Sequence, residues 1–231
     1  MRHHATKRVR PALPGRPKED EQTTRRRLLE AAGQVFADKG FDRATGKEIC
    51  ERAGTNTAAV NYYFGGMEGL YAAVVSDIPN RLVTVEAVSA AVAGKRGAKA
   101  KLEALIGLLV RTLTGPASSS WVLRVAAREW AAPSPALDAL RDKEMLPKAR
   151  ILRGIVGELM GLPDDHPAVA RGCVSVLAPC VLLLLLDRRT LKRAFPAFGS
   201  TADDAPALIR HMVQFALAGL SAVAAEARRD R

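Results

Sequence analysis

Four side chains near position 60 combine hydrogen-bonding groups with a small residue that permits close approach. Thr57, Ala58, Asn61 and Tyr62 fall at i, i+1, i+4 and i+5, so on a helix they share one arc. Val60 and Phe64 point the other way, toward a core. Small, amide and aromatic side chains together are poor core material. They suit the floor of a DNA major groove, where small residues permit close approach and an asparagine amide pairs bidentately with adenine.

The flanking residues predict the scaffold that would hold this arc. Thr45 with Glu48 three positions later is a capping-box pattern, and Ile49 and Ala53 then lie on one helical face. Gly54 suits the left-handed conformation that ends a helix, and Asn56 is read as the N-cap of the next. Residues 45–64 thus read as two short helices joined by a tight turn. An earlier helix is predicted over 22–39, with Leu28, Leu29, Ala32, Val35 and Phe36 on one face; Gly40 stops it and Phe41 folds back. After Gly65-Gly66, a fourth helix is predicted from Met67 to Ile78.

The chain has 231 residues and a net charge of +11, which points to a polyanionic partner without separating nucleic acid from a membrane surface. Cys50, Cys173 and Cys180 are odd in number and show no metal-type clustering, in keeping with a reducing compartment. No apolar leader is visible after Met1. The most apolar run, Cys173 to Leu186, has 14 residues with Pro179 inside it. That is too short to span a bilayer, so a soluble protein with no membrane partner is expected.

Residues 1–21 carry Arg2, Lys7, Arg8, Arg10, Arg16 and Lys18 without a periodic apolar face, and read as a disordered basic arm. Such an arm either touches phosphates or an adjacent minor groove, or serves as a solubilising tail. Arg25, Arg26 and Arg27 in the first helix are open to the same two readings, phosphate contact or a solvated face.

Beyond Pro79 the chain reads as a larger helical domain. Helices are predicted over 81–93, over a strongly amphipathic stretch marked by Leu102, Ile106 and Val110, and over 121–130. One long helix over 136–160, bent near Pro147, follows the break at Pro133-Ser134-Pro135. An apolar helix over 168–186, a basic connection over 187–203 and a last helix over 206–226 complete the chain.

From Thr24 to Leu70 the sequence closely resembles the TetR/AcrR family of bacterial transcriptional regulators. The resemblance rests on Val35-Phe36-Ala37-Asp38-Lys39-Gly40-Phe41, Ala53-Gly54 and Asn61-Tyr62-Tyr63-Phe64-Gly65-Gly66-Met67-Glu68-Gly69-Leu70. The stretch from Asn61 to Tyr71 is most similar to the subgroup with a CecR-type C-terminal domain. This implies an all-α fold: an N-terminal three-helix helix-turn-helix DNA-binding domain over 22–70, then a C-terminal helical ligand-binding and dimerisation domain over 71–231. It further implies a cytoplasmic, nucleoid-associated bacterial homodimer that represses transcription from a palindromic operator in double-stranded DNA and is released by a small-molecule effector, without a cofactor. Thr45, Lys47, Thr57, Ala58, Asn61, Tyr62 and Tyr63 are the expected DNA contacts. Many relatives have lysine at the position of Met67, where it touches a phosphate, and larger or more apolar residues at Gly46 and Thr55; those departures remove the first contact and soften the motif's first turn.

The resemblance also implies an effector pocket. Trp121, Arg124, Arg128, Trp130, Met145 and Met160 are its candidate lining, since Arg124 and Arg128 lie i, i+4 and could orient an anionic or aromatic compound beside Trp121. The same residues also read as ordinary core tryptophans and surface ion pairs with Glu129 or Asp138. The last two helices of relatives pair across a dyad, which here assigns Val174, Leu177, Val181, Leu184, Met212, Phe215 and Leu220 to a dimer interface. Cys173 and Cys180 share a helix face and read as buried thiols or, less simply, a redox pair. The four histidines show no ligand spacing, so no metal is expected, and no nucleophile elbow, phosphate-binding glycine loop or HExxH motif is present. Enzymatic activity has no support. A sequence-indifferent DNA-binding protein and a helical small-molecule-binding enzyme are the rival classes.

Overall fold

The computed structural model describes residues 18–115, 120–186, 188–199 and 201–229. All regular elements among them are helical. Most of the predicted basic arm, residues 1–17, lies outside the described residues. Its last positions are already helical, because α1 runs Lys18–Lys39.

The chain continues through α2 (Gly46–Ala53), α3 (Ala59–Phe64) and α4 (Met67–Arg81). Then come α5 (Val85–Val92), α6 (Ala98–Thr114), α7 (Trp121–Ala131) and α8 (Pro135–Leu140). A π-helical turn, Arg141–Met145, leads into α9 (Leu146–Met160). The last elements are α10 (Pro167–Leu185), α11 (Arg188–Ala194) and α12 (Ala205–Arg229).

Apolar residues segregate into two cores. The first gathers Leu28, Phe36, Ile49, Val60, Leu70 and Val74 from α1 to α4. The second gathers Leu102, Ile106, Val156, Met160, Val169 and Met212 from α6, α9, α10 and α12. The division of the chain between these cores differs from the expected boundary at 70–71, which falls inside α4. Trp121, Val122, Val125 and Leu140, from α7 and α8, belong to the first core. That assignment follows from a close approach: a Cβ on Gly33 of α1 would lie only 2.4–2.5 Å from the Trp121 ring, so glycine lets α7 dock against α1.

Other local readings are corrected. Glu48 turns its carboxylate to Lys39 at 2.8 Å and Arg52 at 3.8 Å, so only the Thr45 half of the capping box forms. Asn56 does not cap α3; its carbonyl accepts from the Ala59 N–H at 3.1 Å in a preceding turn, and Ala58 occupies the cap position. The expected 136–160 helix is helical throughout, from Pro135 to Met160, with a π-helical turn at Arg141–Met145 just before Pro147. The basic connection contains a helix, α11, with Leu191 buried on one side. His166 caps α10, its Nδ1 accepting from the Ala168 N–H at 3.1 Å.

Helix α10 has 19 residues, longer than the apolar run alone indicates, and α12 has 25; both are long and apolar enough by length and composition to cross a membrane. Each nevertheless lays one face into the second core, with Val169, Val176 and Cys180 from α10 and Ile209, Met212 and Leu220 from α12.

The Gly33–Trp121 contact yields a direct test. Gly33→Ala should destabilise the protein by about 1–3 kcal/mol through overpacking. Chemical denaturation of the two proteins, compared at equal denaturant slope, measures it.

Candidate nucleic-acid interface

The helix-turn-helix is built by local chemistry at each joint. The Thr45 Oγ1 accepts from the Glu48 N–H at 3.3 Å and starts α2. Gly54, at φ 65°, ends it in the left-handed region, with its N–H and that of Thr55 closing onto the last carbonyls. Ile49, Cys50, Ala53, Ala59 and Val60 are buried and hold α2 and α3 against α1. Gly65, at φ 73°, ends α3 in the same way.

The opposite side of α3 is open. Asn61 and Tyr62 on α3 are exposed, Tyr62 at 73%, while Thr57 and Ala58, expected on the same helical arc, are exposed in the turn that precedes α3. The Asn61 amide makes no hydrogen bond within the chain among the described residues, which leaves its donor and acceptor available. Tyr62 stands edge-on to Tyr63, ring centroids 4.8 Å apart and 88° between planes. Tyr63 is half-buried against the first core, so it buttresses Tyr62 from behind. Thr45 and Lys47 are exposed at the start of α2, and Lys47 has only a long 3.9 Å pairing with Glu51. Arg25 of α1 adds a cation beside the arc, its guanidinium 5.1 Å from the Phe64 ring centroid. Of the three arginines in α1, this one has a geometric reason to hold its position. Met67 and Gly46 complement each other: a Cβ on Gly46 would meet the Met67 sulfur at 3.6 Å.

The six residues expected to line an effector pocket do not converge. Met160 is buried in the second core, Trp130 is 48% exposed at the end of α7, and Met145 is half-buried in the π-helical turn. Trp121, Arg124 and Arg128 instead form a docking stripe on α7 that faces α1. The Trp121 Nε1 donates to Glu30 at 2.7 Å, and Arg81, paired to Glu30 at 2.9 Å, lies 4.9 Å over the indole ring. The Arg124 guanidinium donates to Asp38 at 2.8 Å, and that of Arg128 to the Ala37 carbonyl at 3.2 Å. Periodicity placed these side chains on one face but could not say that α1 covers it.

Glu129, one position further along this stripe, was missed as a site residue. It is 2% exposed and accepts from the Tyr71 hydroxyl of α4 at 2.5 Å. Its other oxygen accepts from Ser134, from the hydroxyl at 2.8 Å and the backbone N–H at 3.2 Å. Burial first, then the hydrogen bond to Glu129 and its negative charge, push the Tyr71 phenol above the usual tyrosine range. The available signal was a carboxylate continuing the apolar face of Val122 and Val125.

The expected dimer residues divide. Val174 and Phe215 are 69% and 74% exposed, Leu177, Val181 and Leu184 are half-buried, and Met212 and Leu220 are buried in this chain's own bundle. Met212 and Leu220 lie where α10 and α12 pack on each other, so close that a Cβ on Gly172 would meet Leu220 at 2.7 Å, and both remain at the base of the depression between those helices. Between them and α11 runs an apolar groove of about 560 Å³ whose walls include Leu182, Leu191, Phe195, Phe198 and Phe215.

An exposed two-helix reading head joined to a helical bundle is the architecture of helix-turn-helix transcriptional regulators. Residues 28–74 match the model described as bacterial regulatory proteins, tetR family, and residues 98–220 match the C-terminal domain of the HTH-type transcriptional dual regulator CecR. The chain belongs to the TetR family of transcriptional regulators and carries a CecR-type C-terminal domain. It is 33% identical over 110 residues to the HTH-type transcriptional regulator BetI 2 of Chromohalobacter salexigens, a match covering 44% of this chain and 50% of that protein. The chain thus spans about half the length of that relative. It is 25% identical to BetI of Escherichia coli O157:H7 over 201 residues, covering 85% of this chain and 96% of that one. The fold is similar to that of the transcriptional regulator FadR from Bacillus subtilis, solved with stearoyl-CoA, at TM-score 0.60 and 16% identity over 81% of this chain and 97% of that one.

The thiols in the second core give a check on the packing. Burial pushes Cys173 up from the usual range and Cys180 up to about 11. Both should react with an aromatic disulfide reagent at neutral pH far more slowly in the native protein than after denaturation, followed by absorbance.

Proposed function

We propose that this protein is a homodimeric, sequence-specific DNA-binding regulator that represses transcription and is released from its operator by a small molecule. The observation that carries the reading is the exposed face of Asn61 and Tyr62 on α3, continued by Thr57 and Ala58 in the preceding turn, without internal hydrogen bonds to the Asn61 amide among the described residues and backed by an apolar inner face. Asn61 and Tyr62 meet base edges in this reading, Tyr63 and Lys47 the backbone, and Arg25 a phosphate. Thr45 serves at the start of α2. The net charge of +11 supplies salt-dependent affinity for the phosphates.

Dimerisation is supported by the uncovered apolar surface. Val174, Leu182, Phe195 and Phe215 together leave the α10–α12 side of the bundle open. A second copy placed there would cover this face and pair two reading helices for a palindrome. A patch of this kind on a chain that belongs to a regulator family favours a subunit partner over a bilayer.

The effector belongs to the same proposal. Its binding would have to differ between two dimer shapes, since a ligand of equal affinity for both shifts nothing. The stearoyl-CoA in the structure of FadR from Bacillus subtilis makes acyl thioesters a reasonable first panel for this chain.

Binding to a duplex selected by the protein from a random pool tests the reading. Asn61→Ala should cost about 1–3 kcal/mol at one base position, read as loss of preference there in a mobility-shift series. Equal binding to selected and scrambled DNA would favour a sequence-indifferent DNA-binding protein instead. For the interface, Phe215→Glu should convert dimer to monomer in sedimentation equilibrium; an unchanged mass would place the subunit contact elsewhere.

A further inference from the structure

The buried carboxylate of Glu129 has no part in touching DNA, yet it joins three helices. Tyr71, its partner on α4, lies one turn into the helix that directly follows α3 and the Gly65-Gly66 joint. The Tyr71 ring is wedged against Phe36 and Phe41, with centroids 5.0 and 5.1 Å away. Ser134, the other partner, is the cap residue of α8. Helix α8 ends at Leu140, which still belongs to the first core. The chain then passes through the π-helical turn into α9, whose Leu152, Ile155 and Val156 belong to the second core. Short π-helical segments inside helices frequently mark functional positions. The limb formed by α7 and α8 is therefore packed as part of the reading head, although its sequence lies within the effector domain.

We propose that Glu129 is a positioning residue: it fixes α4 against α7 and α8, so that a displacement of α9 reaches the reading helix through this one buried carboxylate. The inference rests on the regulator reading above and names the contact by which that regulation is transmitted. The Arg124–Asp38 pair on α7 is weaker for the purpose. Arg124 and Asp38 are about half exposed, and exposed pairs of this kind contribute little. The Glu129 oxygens are out of water, so losing a partner leaves an unsatisfied group at the pivot.

The test uses the full-length chain and a duplex selected by the wild type from a random pool. Tyr71→Phe removes one oxygen and keeps the ring, and Glu129→Gln keeps the acceptor for Tyr71 while turning an amide donor toward the Ser134 N–H. Affinity is measured well below each variant's thermal midpoint, so that only folded protein is compared. Each variant is expected to weaken binding about three- to thirtyfold, and the double variant to weaken it by less than the product of the two, because they break one network. Tyr71→Phe is the milder change and decides the matter alone if Glu129→Gln does not fold. Lower thermal midpoints with wild-type affinity in the folded state would overturn the proposal and leave Glu129 a packing residue. A wild type that selects no sequence overturns the regulator reading instead. If selection succeeds and Asn61→Ala weakens it while Tyr71→Phe binds as wild type, only the role of Glu129 falls.

Discussion

A carboxylate cannot be moved out of water unless its oxygens find donors, and Glu129 imposes that condition on the middle of this molecule. Its two oxygens are met from α4 by Tyr71 and from the α7–α8 joint by Ser134. Helix α7 therefore cannot slide along α4 without leaving a buried acceptor unpaired. The contact with α1 is equally intolerant for a steric reason, since only glycine at position 33 leaves room for the Trp121 ring. These two constraints, one polar and one of shape, set where the reading head sits on the rest of the chain.

Around this joint the protein spends its polar groups unevenly. On the inner side nearly every polar side chain of α7 finds a partner on α1 or α4. On the outer side of α3 the Asn61 amide and Tyr62 hydroxyl have no hydrogen-bond partner among the described residues and lie exposed. Their position on a short helix anchored from behind gives that surface a fixed shape. The α10–α12 side shows the apolar counterpart. Phe215 and Val174 project from helices whose opposite faces contribute to the bundle core.

The two-core arrangement explains how a bundle and a reading head can be distinct in packing yet continuous in chain. Helices α7 and α8 are sequence neighbours of the bundle and spatial members of the head. The π-helical turn marks the change of allegiance: on one side Leu140 belongs to the first core, on the other Leu152 to the second. An ordinary α-helix through 141–145 would rotate the later side chains relative to the earlier ones, and the two sets of apolar residues would no longer face their separate cores.

Local chemistry made the reading head legible in the amino-acid sequence. The Thr45 cap, the Gly54 stop and the spacing of Ile49, Ala53 and Val60 depend on neighbours within a turn or two, and short-range rules describe them well. The all-α fold and most helix limits followed from the same periodicities. Tertiary structure decided what covers each face. Trp121 and Glu30 are 91 positions apart, as are Arg128 and Ala37, and no periodicity in α7 says that its polar stripe meets α1 rather than a ligand. Residue spacing alone established that Asn61 and Tyr62 share a helix side opposite Val60, and that residues 168–186 are largely apolar. Only the folded chain decided that Met212 and Leu220 point inward while Phe215 points out, and that Glu129 lies buried between α4 and α8. A helix's pattern tells which side avoids water, but its partner is chosen by packing among segments that the sequence separates.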